Sequence, residues 1–479
     1  MKKHIPLILC IVILVGLGML STIIPYFSKP NDRFFTGMNG YSSDYIQYVS
    51  YIKEGMYGRY QMIFRSFPFF QPITPIHFIY IATGIVGDWI GANAPFMFHL
   101  TRVILGSLYV LFTYKLFSRV FSPQLTFLAT LLAFISAPLP NLSFFNFSII
   151  HPERITDRPH YVFGAVLFLA ILLLRKPALL FIFSILTAMV HVSTGILLFV
   201  LSLFLRSVPV ALGSSVALGV TYIFIRKYTL VPEIWLDSYI YSGSITLLGI
   251  LRDIVSFGPT LWLGMVGFIL DRKPTHRKIF YWLLIQLGLF LFGYRFFHAD
   301  RVRFLQGLYF IPMAYGTVLF WKYISQKISH WMLPVGVFAT ILVSLPVYIS
   351  DLNKSLYFLT DYKNYSTFVF PTKAQMESFE YLDKNTPTES LIIGSYEIAN
   401  NLLLYSHNYT LGNDQGWSKE EGKKMLADRD KFFAGILSEE EAKQYLQNNN
   451  VSFVYNGPKY PFLRPVFENS QVTIYEYKR

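Results

Sequence analysis

The sequence has little charge and almost no cysteine. Only 14% of its 479 residues are charged, whereas 53% are hydrophobic and 18% are aromatic. That balance is too apolar for an ordinary soluble protein of this length. The single cysteine, Cys10, cannot form an intrachain disulfide, so cysteine usage does not report the redox compartment. These shortages exclude both a disulfide-stapled secreted domain and a typical soluble globular protein.

Apolar runs of about 18–22 residues recur along the chain, and this is the length that crosses the hydrocarbon core of a bilayer. The pattern predicts an all-α polytopic membrane domain with about eleven transmembrane helices. The run 177–205 is too long for one span and carries His191 at its middle, so it is split into two short helices. The predicted spans lie at about 5–26, 96–117, 123–139, 160–174, 177–205 (two helices), 208–225, 257–270, 279–295, 304–322 and 331–349.

Charge predicts the orientation of these spans. Lys2 and Lys3 precede the first span and place its start in the cytoplasm, as a retained signal anchor in the plasma membrane. Ten of the eleven acidic residues before residue 351 then fall in external loops, and only Asp271 falls inside. Carboxylates gathered on one side indicate that the chemistry is there. The alternative is that external loops are simply longer and hold more polar residues of every kind.

The composition changes after about residue 350. Residues 1–350 hold 27 Lys and Arg against 11 Asp and Glu, whereas residues 351–479 hold 14 against 17. A basic membrane half favours anionic lipid or phosphate partners, and the scatter of its charges argues against nucleic acid. We predict a membrane domain at 1–350 with a long first external loop at 27–95, a linker at 351–365 and a small extracytoplasmic α/β domain at 366–479. Its predicted helices lie at 373–384, 397–405, 418–431 and 438–447, and its predicted strands at 390–394, 451–455 and 471–475.

The stretch 40–55 in the first external loop is the candidate catalytic element. Asp44, Gln47 and Glu54 recur at helical spacing on one polar face, and Gly55 is a plausible C-terminal stop. The pattern predicts a short amphipathic helix lying on the membrane surface with Asp44 at its start. Asp44 and Gln47 also fit a capping box, so Asp44 is interpreted as a helix cap, a catalytic carboxylate, or both.

A second charged cluster lies in the second external loop. Residues 151–160 contain two acids, two histidines and two arginines, and the candidate ligands among them are Glu153, Asp157 and His160. This density suits a divalent cation or a phosphate, although no His/Cys pattern with zinc-ligand spacing is present. The alternative is a solvated loop with local ion pairs.

A third cluster lies at the outer end of a late span, where Arg295, His298, Arg301 and Arg303 fall close together. Guanidinium forks match phosphate oxygens, so this is a candidate site for a lipid-linked phosphate headgroup. The alternative is membrane anchoring by snorkelling arginines. Isolated glycines such as Gly213 and Gly219 are interpreted as helix-packing positions.

The order of these motifs resembles that of the GT-C glycosyltransferases, integral membrane enzymes that take sugars from polyprenyl-phosphate carriers. This group includes oligosaccharyltransferases, protein O-mannosyltransferases and lipid A aminoarabinose transferases. The resemblance is carried by Asp-Tyr-x-x-Tyr-x-Ser-x-Ile-x-x-Gly-x-x-Gly from Asp44 to Gly58, by Pro159-His160, and by Arg-x-Arg-Phe-x-x-Gly-Leu-x-x-x-Pro over 301–312. Many members have an adjacent acidic pair in the first loop, whereas here Asp44 stands alone with Glu54 as the nearest acid.

The resemblance implies an inverting transfer of a sugar from a polyprenyl-phosphate donor to a glycan, lipid or protein acceptor. Asp44 would be the general base, with Glu54 as the nearest second carboxylate. Arg301 and Arg303 would meet the charge of the leaving phosphate. The remaining implied roles are acceptor orientation or a divalent cation (Mg²⁺ or Mn²⁺) for Glu153 and Asp157, and phosphate binding for Arg295, His160 and His298. No organic cofactor is expected.

Other functions remain open at the level of sequence. A lipid-linked glycan polymerase would use the same donor chemistry. A transporter or flippase predicts buried charges within spans and an internal repeat, whereas ionisable residues here sit almost wholly at span ends and no repeat is visible. A non-catalytic membrane scaffold would need only an external domain that binds a partner.

Overall fold

A computed structural model describes residues 4–38, 42–61, 63, 65–66, 78–136, 152–228, 251, 254–255, 257–297, 301–305, 308–360, 366–411 and 420–478. The chain forms two compact units, which we describe separately. The first comprises Met1–Ser21, Thr74–His77 and Leu100–Lys354, and the second comprises Thr22–Ile73, Phe78–His99 and Ser355–Arg479. Packing therefore groups the first loop with the tail. The domain boundaries drawn from composition remain a prediction about independent folding.

The described part of the chain is mostly helical. Its helices, in chain order, are α1 (Ile5–Ser28), α2 (Ser42–Met56), α3 (Phe78–Trp89), α4 (Ala94–Phe117), α5 (Pro123–Ile135), α6 (Pro159–Leu173), α7 (Pro177–Val190), α8 (Val192–Phe204), α9 (Val208–Tyr228), α10 (Pro259–Leu270), α11 (Arg277–Phe297), α12 (Phe310–Lys327), α13 (Met332–Thr360), α14 (Ser366–Val369), α15 (Lys373–Asn385), α16 (Tyr396–Tyr405), α17 (Glu420–Phe433) and α18 (Glu439–Asn448).

Helices occur at every predicted span. Three of those described, at Ile5–Ser28, Ala94–Phe117 and Met332–Ser350, are long and apolar enough to cross a membrane. With the apolar composition, they identify an integral membrane protein. The count of eleven spans and the orientation remain predictions. Helix α13 continues through the first ten residues of the predicted linker at 351–365, and the role of this segment as a linker stays a prediction.

The break predicted within 177–205 is confirmed. Helix α7 ends at Val190 and α8 begins at Val192, with His191 between them in an extended conformation (φ −146°, ψ 98°). The Nδ1 atom of His191 lies 2.6 Å from the hydroxyl oxygen of Thr194. A Cβ atom on Gly164 of α6 would lie 3.0 Å from the Cβ of His191, so this glycine lets the break pack closely against α6.

Glycines allow helix backbones of the first unit to touch. A Cβ atom on Gly267 of α10 would lie 1.9 Å from the carbonyl oxygen of Gly316 in α12. A Cβ atom on Gly213 would lie 2.6 Å from a carbonyl oxygen of α7, which confirms the packing role predicted for Gly213. The same role predicted for Gly219 is wrong, because a Cβ atom there would meet nothing within 4 Å. Small residues at such crossings are the usual basis of close helix association in membrane proteins.

The second unit contains a five-stranded mixed sheet in the order β2-β1-β3-β5-β4. Strand β1 pairs in parallel with β2 and β3, and β5 pairs antiparallel with β3 and β4. The predicted α/β tail is therefore confirmed, although β2 and β4 were not predicted. Pro465 in β4 argues against a strand in the sequence, but it is tolerated because β4 is an edge strand. The strands are β1 (Leu391–Ile393), β2 (Tyr409–Thr410), β3 (Val451–Tyr455), β4 (Leu463–Glu468) and β5 (Thr473–Tyr477).

Helix α2 differs from the predicted surface helix. Every residue from 45 to 55 is buried except Gln47, so the helix has no exposed polar face. The reason is tertiary packing, since α3 and α16 both lie against α2. Gly55 does not stop the helix, which continues to Met56. Instead Gly55 packs against α3, where a Cβ atom on Gly84 would lie 1.9 Å from the carbonyl oxygen of Ile52.

We expect Gly84→Ala to destabilise the protein by about 1–3 kcal/mol, because the added methyl group must push α2 and α3 apart. The measurement is the thermal unfolding of purified protein in detergent. Gly288→Ala is the matched control. Its Cβ would meet nothing within 4 Å, so the same substitution should leave stability unchanged or raise it by about 0.5–1 kcal/mol through backbone entropy. Equal melting temperatures for the two variants would contradict the close contact.

Candidate active site

Asp44 lies in the first turn of α2, which begins at Ser42, and its side chain is half-buried. It therefore sits within the helix and not at the predicted N-cap position. A carboxylate in the first turn is favoured by the partial positive charge of the helix N-terminus. This position holds an anionic group at a defined point at the start of α2.

The segment before α2 is fixed by hydrogen bonds. The Tyr45 hydroxyl donates to the carbonyl oxygen of Thr36 (2.7 Å), and His99 Nε2 lies 2.8 Å from the carbonyl oxygen of Gly37. Gly37 has a φ of +81°, and a Cβ atom there would lie 2.7 Å from the Tyr45 hydroxyl. Both the backbone conformation and the space therefore require glycine at this position. Tyr45, the residue after Asp44, therefore fixes the chain segment that leads into α2.

Glu54, the second candidate carboxylate, is fully buried at the other end of α2. Both of its oxygens are engaged by Arg65, through Nε and through Nη2 at 3.2 Å, and Arg59 Nη1 lies 3.3 Å from one of them. Burial raises the pKa of Glu54, and the Arg65 contacts oppose that shift. A carboxylate occupied in this way is an anchor. These contacts make Glu54 the ion-pair partner of Arg65, and the catalytic role implied for it stays a prediction.

The same network reaches residues of the tail. Arg65 donates to the carbonyl oxygens of Thr388 (3.1 Å) and His407. Lys53 donates to the carbonyl oxygen of Ser406, and burial lowers the pKa of Lys53 to about 7. These bonds join the end of α2 to the segment before β2. Within this unit, they hold the helix that carries Asp44 against the sheet domain.

Asp383 and His407 form a further pair in this network. His407 Nδ1 lies 3.1 Å from Asp383 Oδ1, and the Tyr57 hydroxyl donates to the same oxygen at 3.3 Å. Burial raises the pKa of Asp383, but the hydrogen bond from His407 and the charge of Lys53 outweigh it and the net shift is downward. Asp383 therefore stays ionised at neutral pH and contributes to the charge balance around Lys53.

In the first unit, polar side chains from three separate segments meet around Tyr161. Arg303 Nη1 donates to the Tyr161 hydroxyl at 3.3 Å, and the Arg158 guanidinium lies 5.1 Å from the centre of the Tyr161 ring. The rings of His160 and His191 lie 4.2 and 4.7 Å from that of Tyr161, centre to centre. The structure thus brings together two predicted phosphate ligands, Arg303 and His160, which are far apart in sequence.

The described residues do not assemble a metal site. No group of three or more His, Cys, Asp or Glu side chains among them could hold an ion. The Asp157 carboxylate accepts a hydrogen bond from the backbone N–H of Arg158 (2.7 Å) and lies 3.9 Å from its guanidinium. Asp157 is therefore arranged to orient Arg158. The side chains of the other predicted ligands Glu153, Arg295 and Arg301 lie outside the described part of the chain, as does all of His298.

Several site residues were not anticipated from sequence. Arg65, Asp383 and His407 are separated from α2 by loops or by more than 300 residues, and no local motif links them to it. Tyr161 follows the recognised Pro159-His160 pair but looks like one more aromatic residue in an aromatic-rich chain. The one hint of this network in the sequence is Arg65, because a cation in an apolar loop needs an acidic partner when it is buried.

We expect Glu54→Leu and Arg65→Met each to destabilise the protein by about 3–5 kcal/mol, because each leaves the other charge buried without a partner. The double variant should be more stable than either single variant, because it removes both charges. Thermal unfolding of the four proteins gives the coupling energy. Glu380→Gln, in an exposed pair with Lys384, is the control and should change the melting temperature little. Additive effects of the two buried substitutions would contradict the ion pair.

Comparison with protein-family models and with curated proteins gave no match in sequence. Solved structures, in contrast, match across nearly the whole chain. The apo oligosaccharyltransferase of Archaeoglobus fulgidus is 13% identical over 94% of this chain and 69% of its own, with a TM-score of 0.56. The same enzyme in complex with Zn and sulfate is 14% identical over 93% of this chain and 67% of its own, with a TM-score of 0.54.

ArnT from Cupriavidus metallidurans, solved with bound undecaprenyl phosphate, is 11% identical over 98% of this chain and 97% of its own, with a TM-score of 0.53. At such low identity these matches establish the fold alone. They agree with the fold implied by the short motifs at Asp44, Pro159 and Arg301. The chain therefore shares the fold of these oligosaccharyltransferase and ArnT structures, in agreement with the GT-C resemblance of its motifs.

Proposed function

We propose that this protein is a membrane glycosyltransferase that moves a sugar from a polyprenyl-phosphate carrier to an acceptor hydroxyl on the extracytoplasmic side. The observation that carries the proposal is the cluster around Tyr161, in which Arg303, Arg158 and His160 gather polar and cationic groups. It is supported by the fold, because one structure that shares it was solved with undecaprenyl phosphate bound.

The donor phosphate is assigned to Arg303 and to its neighbour in sequence, Arg301. A guanidinium offers a planar fork of N–H donors that matches phosphate oxygens and keeps its charge at all physiological pH values. Arg303 is positioned by the Tyr161 hydroxyl. Arg295, His160 and His298 complete the proposed set. These cations would stabilise the negative charge that develops on the phosphate as it leaves.

The reaction is an inverting substitution at the anomeric carbon of the sugar. The acceptor hydroxyl oxygen forms a bond to that carbon, while the bond between the carbon and the phosphate oxygen breaks. Asp44 takes the hydroxyl proton as general base, and the polyprenyl phosphate departs with the bonding electrons. The first-turn position of Asp44 supports this role, because the side chain there is only half-buried. Glu54 is assigned a positioning role, for the reasons given by its contacts with Arg65.

The acceptor is assigned by chemistry as a glycan, lipid or protein that presents a hydroxyl group. Glu153 is proposed to orient it, and Asp157 to hold Arg158 in place. The proposed reaction includes no step that uses Mg²⁺ or Mn²⁺, because the described residues do not form a set of metal ligands. A lipid-linked glycan polymerase would use the same donor and the same base, and would differ in having a growing glycan as the acceptor.

We expect Asp44→Asn to lower the transfer rate by about 10²–10⁴-fold, because the amide cannot accept the hydroxyl proton. The assay follows release of polyprenyl phosphate from a panel of polyprenyl-phosphate hexoses and pentoses, in membranes that supply the acceptor. Asp88→Asn, an exposed substitution at the end of α3, is the matched control and should retain full activity. Near-normal turnover by Asp44→Asn with an active donor would remove Asp44 from catalysis.

We expect Arg303→Ala to raise the KM for the lipid donor by about 10–100-fold, because it removes a charge-assisted hydrogen bond to phosphate. Arg301→Ala should act in the same direction, and Arg303→Lys should recover part of the affinity. The measurement is the transfer rate as a function of donor concentration. Arg464→Ala, which alters an exposed ion pair in the tail, should leave KM unchanged. An unchanged donor dependence in Arg303→Ala would exclude this arginine from the phosphate site.

A further inference from the structure

Arg154 is a buried cation that the proposed mechanism does not use. It lies in the single turn Pro152–Ile155, and only 5% of its surface is exposed. None of its three guanidinium nitrogens has a hydrogen-bond partner among the described residues, and no described carboxylate forms an ion pair with it. Burial lowers the pKa of Arg154 only to about 10, so the guanidinium stays charged at neutral pH.

The surroundings of Arg154 are aromatic. The guanidinium lies 4.2 Å from the centre of the Phe310 ring, and it interacts electrostatically with the phenols of Tyr309, Tyr109 and Tyr348. The Tyr109 hydroxyl is itself fully buried and has no hydrogen-bond partner among the described residues. A ring face attracts a cation more weakly than an anion does. Among the described residues, this buried positive charge and this buried phenolic donor therefore have no acceptor to match them.

The segment that carries Arg154 is rigidly held. Arg102 donates to the carbonyl oxygen of Thr156, and the Thr156 hydroxyl donates to the carbonyl oxygen of Gly18 at 2.7 Å. A Cβ atom on Gly106 of α4 would lie 2.9 Å from the carbonyl oxygen of Ile155, so the turn sits directly on the α4 backbone. Arg154 is thus presented by a fixed backbone, as in a preorganised binding site.

We propose that Arg154 and Tyr109 form an oxyanion-binding site within the first unit, and that the bound group is a phosphate. The guanidinium supplies five N–H donors and the phenol supplies one O–H donor. A phosphate group offers three non-bridging oxygens and a negative charge, so it matches both the number of donors and the buried charge better than a neutral ligand does. The phosphate would belong to a polyprenyl phosphate or be free inorganic phosphate. The lipid source rests on the proposed function, whereas the free-phosphate source does not.

The test uses the whole 479-residue chain in detergent micelles. Binding of inorganic phosphate, of a polyprenyl phosphate and of the matching dephosphorylated polyprenol is measured by the shift in melting temperature, with ionic strength held constant by chloride. We expect wild-type protein to be stabilised by at least one phosphate ligand and not by the polyprenol. Because the lipid is also proposed to bind at Arg303, the assignment rests on the stabilisation that Arg154→Met loses. Loss for the lipid alone assigns the Arg154 site to the carrier, and loss for both ligands assigns it to the phosphate group itself. No stabilisation by either would overturn the proposal.

Arg154→Met separates binding from structure, because it removes the charge while keeping an apolar chain against Phe310. We expect phosphate affinity to fall by at least about 10-fold, with a melting temperature in the absence of phosphate that equals or exceeds that of wild type. Arg272→Met, at an exposed arginine, is the control and should bind phosphate normally. A lower melting temperature with wild-type phosphate affinity would make Arg154 a structural residue and overturn the proposal.

Tyr109→Phe decides the question if Arg154→Met does not fold. It deletes one hydroxyl group, and we expect a loss of about 3–10-fold in phosphate affinity. Unchanged affinity would then overturn the proposal. These binding measurements do not depend on sugar transfer. If Asp44→Asn retained full transfer activity while Arg154→Met lost phosphate binding, the proposed function would fail and this inference would stand.

Discussion

The buried ion pair between Glu54 and Arg65 holds the second unit of this protein together. Arg65 engages both oxygens of the Glu54 carboxylate and also donates to two backbone carbonyls of the tail. A charge removed from water needs a well-placed partner, so neither residue can adopt another arrangement without a large loss of stability. The helix that starts near Asp44 therefore has a fixed far end. The position of the proposed base depends on this pair of residues at the other end of the helix.

The first unit is packed in a different way, largely through close contacts between helix backbones. Glycines on α10 and α12 let two helices touch, and Gly164 lets the His191 break approach α6. Such close packing leaves room for a few polar groups at defined places. Tyr161 collects two arginines and two histidines there, and Arg154 is carried by a turn fixed on α4. In an apolar protein, each buried polar group needs a specific partner. The candidate functional residues are therefore found where such polar groups cluster.

Individual residues show which features could be predicted from the sequence and which could not. The break at His191 and the strand at Val451–Tyr455 were predicted correctly, because hydrophobic run length and β-branched composition are local signals. Helix α2 was predicted at the right place but with the wrong exposure. Its polar residues looked like a solvated face, yet Glu54 is buried, because its partner arrives from another loop. Strand β4 was missed since its proline is allowed only at a sheet edge, and strand order is not a local property.

The sequence alone determined that this is a helical membrane protein with an α/β tail, and its short motifs pointed to the GT-C fold. Those features follow from run length, periodicity and composition, which each segment carries by itself. Only the tertiary structure decided which charges meet. It paired Glu54 with Arg65, joined Arg303 to Tyr161 and left Arg154 buried against Phe310. Pairing between distant charges depends on how the chain packs, and no local pattern encodes it.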